Sequence, residues 1–87
     1  MMMEQSKVYI SLKAGTASLI LETPTATDGQ EAYQQIKSKI PSANLGIYGA
    51  RDIQTLLRSH REFKAPRVFT DIEKFISSAT VIKKVLV

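Results

Sequence analysis

The chain contains no cysteine and no tryptophan, and it has a single histidine, His60. Without cysteine it has no disulfide framework, no thiolate metal site and no cysteine nucleophile. No segment reaches the ~20 apolar residues that a membrane-spanning helix needs. The first residues form neither a long apolar run nor a positive cluster. We therefore expect no signal peptide and no membrane partner, and the cytoplasm is the default location.

Motifs for catalysis are also missing. The phosphate-binding pattern G-x-x-x-x-G-K-[ST] is absent, and Gly46 and Gly49 indicate turn geometry rather than a phosphate loop. His60 has no Asp or Glu at a helical ligand spacing, which argues against a metal site. A general base or a pH switch is one interpretation of His60, and a ring that covers the edge of the core is the favoured one. We expect a protein that is not an enzyme and that has no cofactor.

The length and the charge of the chain limit the number of its domains and the kind of partner that it suits. The 87 residues are enough for one domain, predicted at residues 7–87, after a disordered start at residues 1–6. The net charge of +4 is unevenly distributed, because residues 1–36 have a net charge of −2 and residues 37–87 have a net charge of +6. This asymmetry favours a partner with negative charge.

The first elements are predicted to form a β-hairpin. Apolar and polar residues alternate over residues 7–12, and residues 16–23 are rich in strand-forming residues. Ala14 and Gly15, between the two runs, fit a turn. The uninterrupted apolar run of residues 19–21 predicts that the second strand is buried on both faces.

Two helices are predicted in the middle of the chain. A capping-box pattern near Asp28 opens the first helix, and Pro41 ends it. Residues 42–49 fit either a short strand or an apolar loop. A second helix is predicted from Ala50 to near Phe63. Its apolar face consists of Ile53, Leu56, Leu57 and His60.

The last third begins with a strand candidate at residues 67–69 and a helix that starts near Thr70. Residues 80–87 are ambiguous, because helical spacing continues while β-branched residues dominate. We predict a terminal strand there. The predicted fold class is α+β: an N-terminal β-hairpin followed by about three helices alternating with short strands, in a small mixed sheet covered by helices.

The arginines of the second helix are not scattered around it. At about 100° per residue, three of its arginines and a glutamine fall within a sector of about 80°, offset from the apolar face. The guanidinium group suits phosphates and carboxylates. The candidate residues for binding nucleic acid or another anionic partner are Arg51, Gln54, Arg58, Arg61, Lys64 and Arg67.

Two functions fit this pattern. The first is a small regulatory protein that contacts nucleic-acid phosphates through the arginines. The second is a protein–protein interaction module, such as an inhibitor, an adaptor or a homo-oligomer, that uses the same arginines or a terminal strand edge. A purely structural explanation competes with both, because arginine is a good helix former and Glu62 is spaced to pair with Arg58.

Overall fold

The computed structural model describes residues 7–14, 17–63 and 66–86, without the side chains of Ala14 and of residues 82–86. The predicted start at residues 1–6, the turn residue Gly15 and the candidate residue Lys64 lie outside these ranges. The elements are β1 (Lys7–Ala14), β2 (Ala17–Thr23), α1 (Ala26–Lys39), β3 (Asn44–Ala50), α2 (Ile53–Ser59), β4 (Arg67–Phe69) and α3 (Ile72–Leu86).

The four strands form one mixed sheet in the order β3-β1-β2-β4. β1 pairs antiparallel with both β2 and β3, and β2 pairs parallel with β4. The predicted hairpin is confirmed by the β1–β2 pairing, in which Ile10 lies opposite Leu21. The predicted α+β fold class is likewise confirmed. The ambiguous residues 42–49 contribute an edge strand rather than a loop.

The buried side chains divide into one cluster on each face of the sheet. Because strand side chains alternate, Ile10 and Leu21 point to the face that α1 and α3 cover, and Tyr9 and Ile20 point to the face that α2 covers. The prediction that β2 is buried on both faces is therefore confirmed, and β1 shares that environment. The two strands of the hairpin are therefore the inner strands of the sheet, with α1 and α3 packed on one face and α2 on the other.

The first helix begins at Ala26, slightly earlier than predicted. Thr25 is its N-cap, and the Thr25 hydroxyl accepts a hydrogen bond from the Asp28 N–H at 3.1 Å. Pro41 lies just beyond the C-cap, as predicted. Gly29 is buried against β1, and a Cβ added there would lie only 2.8 Å from the Cβ of Val8. A glycine in the first turns of α1 thus lets the helix approach the sheet closely.

The second helix spans Ile53–Ser59 and is therefore shorter than predicted. Its start is delayed because Ala50 still pairs with Lys7 in the sheet, and Asp52 then caps the helix. His60 is the C-cap of α2. In the chain, α2 lies between β3 and β4, which form opposite edges of the sheet.

The prediction of a strand at residues 80–87 is wrong for residues 80–86, and residue 87 lies outside the described ranges. α3 continues to Leu86, because Phe75 and Ala79 are buried at helical spacing against the sheet and this packing outweighs strand propensity. The hydroxyl of Thr80 donates to the carbonyl of Ile76 at 2.8 Å, which the helix accommodates. No helix within the described part of the chain is both long and apolar enough to cross a membrane.

Candidate functional site

One side of α2 is fixed to the sheet. Leu56 is buried and belongs to the same cluster as Tyr9 and Ile20, while Ile53 and Leu57 are partly buried against that cluster. The prediction that these aliphatic residues form the inner face of α2 is confirmed. The polar side chains of this short helix are therefore held in a defined orientation toward the solvent.

The outer side of this region carries four of the six candidate residues. We define the α2 basic surface as Arg51, Gln54, Arg58 and Arg61, all of which are exposed. Gln54 and Arg58 are four residues apart within α2 and share one helical face. Arg51 precedes the N-cap and Arg61 lies in the turn after the C-cap, so the prediction that all four lie on one continuous helix is wrong.

The carboxylate of Asp52 lies near two arginines of the α2 basic surface, Arg51 and Arg58. Its carboxylate accepts a hydrogen bond from the Thr55 N–H at 2.8 Å and thereby caps α2. This hydrogen bond, followed by the nearby charges of Arg51 and Arg58, lowers the pKa of Asp52. Arg51 and Arg58 therefore lie near the same carboxylate, although they are seven residues apart in sequence. The carboxylate also offsets part of their positive charge.

The turn after α2 is held by a cluster of aromatic rings. The ring of Tyr48 on β3 lies 4.6 Å from the His60 ring and 5.8 Å from the Phe63 ring, measured between centroids. Phe63 is 5% exposed, so the cluster anchors the turn to the core. The rings contact one another, which favours a structural role over stacking on bases. The favoured interpretation of His60, as a ring at the edge of the core, agrees with this packing.

Glu62 pairs with His60 instead of Arg58. The Oε2 atom of Glu62 is 3.4 Å from the Nδ1 atom of His60, because the turn brings the two side chains together. A backbone hydrogen bond at Glu62 and the nearby groups of His60 and Lys13 lower the pKa of Glu62. Within the described part of the chain, Arg58 and Arg61 form no ion pair shorter than 4 Å. Both side chains are exposed to solvent.

Lys13 joins this region from β1, and sequence reasoning did not include it. Its Nζ atom lies 5.4 Å from the centroid of the Phe63 ring, and its charge acts on Glu62. Strand alternation indicates that Lys13 shares a face with Tyr9, but the sequence did not reveal that α2 covers that face. Together with Lys13, the three arginines of the α2 basic surface therefore place four basic side chains around this short helix.

Arg67 belongs to a different surface. It pairs in register with Leu19, so it points to the face of the sheet covered by α1 and α3. Its guanidinium carbon lies 5.4 Å from the centroid of the Phe69 ring on that face. The structure therefore separates Arg67 from the α2 basic surface, and Lys64 lies outside the described residues.

Among the residues that the structure describes, no three His, Asp or Glu side chains are grouped to hold a metal ion. No protein-family model, curated protein or solved structure gave a significant match to this chain.

Proposed function

We propose that the chain is a small, non-enzymatic binding and regulatory protein whose α2 basic surface contacts nucleic-acid phosphates. The observation that supports this most directly is the outward exposure of Arg51, Arg58 and Arg61 around a helix whose inner side is fixed to the sheet. Because α2 is anchored through Leu56, binding would not have to order the helix itself.

The chemistry of the exposed groups suits phosphate oxygens. The guanidinium group of arginine donates two parallel hydrogen bonds to one phosphate, and Gln54 adds an uncharged donor beside Arg58. Positive charge in this region exceeds negative charge, since Lys13 and three arginines are opposed locally by Asp52 and Glu62. Phosphate contacts of this kind supply affinity without sequence preference.

An acidic protein surface is the competing partner for the same arginines, because carboxylates also accept paired hydrogen bonds from guanidinium groups. Nucleic acid is the preferred partner because its phosphates are regularly spaced at high charge density, which suits several separate arginines. The terminal strand edge is no longer a candidate surface, since residues 80–86 belong to α3.

The test is a fluorescence-anisotropy titration of the full chain against a labelled duplex, a labelled single strand and labelled poly-glutamate. The Arg58→Glu, Arg61→Glu double variant should lose binding to nucleic acid. The matched control is Lys39→Glu with Lys74→Glu, which makes the same change in net charge on exposed residues of α1 and α3. This control should retain most of the affinity.

Three results would overturn the proposal. Absence of salt-sensitive binding to either nucleic acid would exclude phosphate contacts. Equal loss of affinity in the two double variants would show attraction by net charge rather than binding at α2. Tighter binding of poly-glutamate than of either nucleic acid would favour an acidic protein as the partner.

A further inference from the structure

β3 is an edge strand with an open side. Within the ranges 7–14, 17–63 and 66–86, it pairs only with β1, and its outer backbone groups face away from the sheet. Its seven residues pair with β1 in continuous register without a skipped residue. An edge of this length without a bulge is a template for another strand.

β3 also lacks the residues that usually block such pairing. Asn44–Ala50 contains no charged residue and no proline, and Ile47 is 46% exposed. The other edge, β4, has only three residues and follows Pro66, so it is short and interrupted. Protected edges typically carry lysine, proline or a bulge. The two edges of the sheet that the structure describes therefore differ, and β3 is the edge suited to extended pairing.

We propose that β3 is a dimerisation edge, at which two copies of the chain pair β3 to β3 in antiparallel orientation about a two-fold axis at Ile47. The two four-stranded sheets would form one continuous sheet. This inference does not depend on nucleic-acid binding.

The sequence of β3 is complementary to itself in this register. The central Ile47 meets the Ile47 of the second copy, and each Leu45 lies opposite a Gly49 on the same face of the sheet. A Cβ added to Gly49 would have no atom within 4 Å, so there is space for the opposing leucine. At the ends Asn44 meets Ala50, and no two like charges are brought together within the strands.

A second copy fits this edge better than an unrelated strand for two reasons. Pairing two identical edges closes both at once, whereas an added foreign strand would itself present a new edge. The neutral strand also brings no charge into contact with its copy, although each chain has a net charge of +4. Because salt screens this overall repulsion, the dimer should become tighter as salt concentration rises.

The two-fold axis is perpendicular to the sheet, so each face of one copy continues into the same face of the other. Both α2 helices would then lie on one side of the extended sheet, and the two α2 basic surfaces would face the same direction. A dimer of this form would offer two basic surfaces to a single anionic polymer.

The test is the mass of the full chain in solution by sedimentation equilibrium over a range of concentrations. Wild type should reach twice the monomer mass of 9.7 kDa. Ile47→Lys should raise the dimer Kd by more than about tenfold, because two lysines would meet at the axis. The matched control is Val68→Lys, which adds the same charge at the β4 edge, where Val68 is 42% exposed. This control should leave the dimer intact.

A cross-linking experiment covers the case in which Ile47→Lys does not fold. The chain has no cysteine, so Ile47→Cys would introduce a single thiol at the two-fold axis. Opposite residues of antiparallel strands have Cα separations of about 4.5–5.5 Å, which permit a disulfide. Oxidation should give a covalent dimer with Ile47→Cys and much less with Val68→Cys.

Two results would overturn the proposal. A wild-type monomer at every concentration would leave the β3 edge to a strand of another protein. A dimer that is unchanged by Ile47→Lys, or that is cross-linked equally well through Val68→Cys, would place the interface elsewhere on the molecule.

Discussion

The hydroxyl of Tyr9 donates a hydrogen bond to the carboxylate of Glu22 on the neighbouring strand, with 3.4 Å between the oxygen atoms. Tyr9 is 0% exposed, and the other carboxylate oxygen of Glu22 pairs with Lys7 at 3.1 Å. Burial, followed by the charge and hydrogen bond of Glu22 and by the charge of Asp52, raises the pKa of Tyr9 to about 12. Tyr9, on the face of the sheet that α2 covers, is therefore neutral below about pH 12.

The raised pKa of Tyr9 should make the free energy of unfolding depend on pH in the alkaline range. Because the pKa of Tyr9 is higher in the folded chain than in the unfolded chain, its contribution is fully present below about pH 10 and is lost as pH rises through about 12. Within that window the free energy of unfolding should fall by about 1.4 kcal/mol per pH unit for this group.

Tyr9→Phe should remove that part of the pH dependence. Urea unfolding of both proteins across the same window measures the difference, and ionisation of the remaining groups is common to both. Parallel curves of unfolding free energy against pH would contradict the assignment to Tyr9.

Gly29 should tolerate no side chain, despite its place in a helix. Gly29→Ala would bring a Cβ within 2.8 Å of the Val8 Cβ and 3.1 Å of the Thr23 hydroxyl oxygen. We expect a net loss of about 1–3 kcal/mol in the free energy of unfolding, since overpacking exceeds the gain in helix propensity.

Gly49→Ala is the matched control for Gly29→Ala, because a Cβ at Gly49 meets no atom within 4 Å. At low protein concentration this variant should be neutral or slightly more stable, since alanine restricts the unfolded chain. Chemical denaturation measures both variants. Equal losses at the two positions would show that close packing of α1 on β1 is not the cause.

Asp52 should have separable effects on folding and on binding. Asp52→Asn keeps an oxygen that accepts the Thr55 N–H but removes the negative charge near Arg51 and Arg58. Stability should be largely retained, while affinity for nucleic acid should rise about two- to fivefold. Asp52→Ala removes the cap as well and should lower the melting temperature. Thermal melting and anisotropy titration measure the two effects, and unchanged affinity in Asp52→Asn would contradict an anion site beside this carboxylate.

The elements that the sequence predicted correctly are those with local signals. Strand alternation in residues 7–12 and the apolar run at residues 19–21 predicted the hairpin and the burial of β2. The end of α1 was likewise predicted from Pro41. These patterns depend on the periodicity of each element and on its own residues, so no tertiary information was needed.

The features that the sequence did not predict depend on tertiary contacts. The pairing of Ala50 with Lys7 shortens α2, and the packing of Phe75 keeps α3 helical through β-branched residues. The predicted set of site residues differs from the observed set for the same reason. Arg67 was grouped with the arginines around α2 because the register of β4 was unknown, and Lys13 was omitted because nothing local places it beside Phe63.

The salt dependence of binding measures whether the arginines around α2 contact nucleic-acid phosphates. Anisotropy titrations of wild type and Arg58→Gln at several salt concentrations give the slope of log K against log salt concentration. If Arg58 contacts a phosphate, its removal should reduce the magnitude of the slope by about one. Lys39→Gln, on the opposite side of the sheet, should leave the slope unchanged. An unchanged slope in Arg58→Gln, or an equal change in both variants, would show that Arg58 does not contact a phosphate.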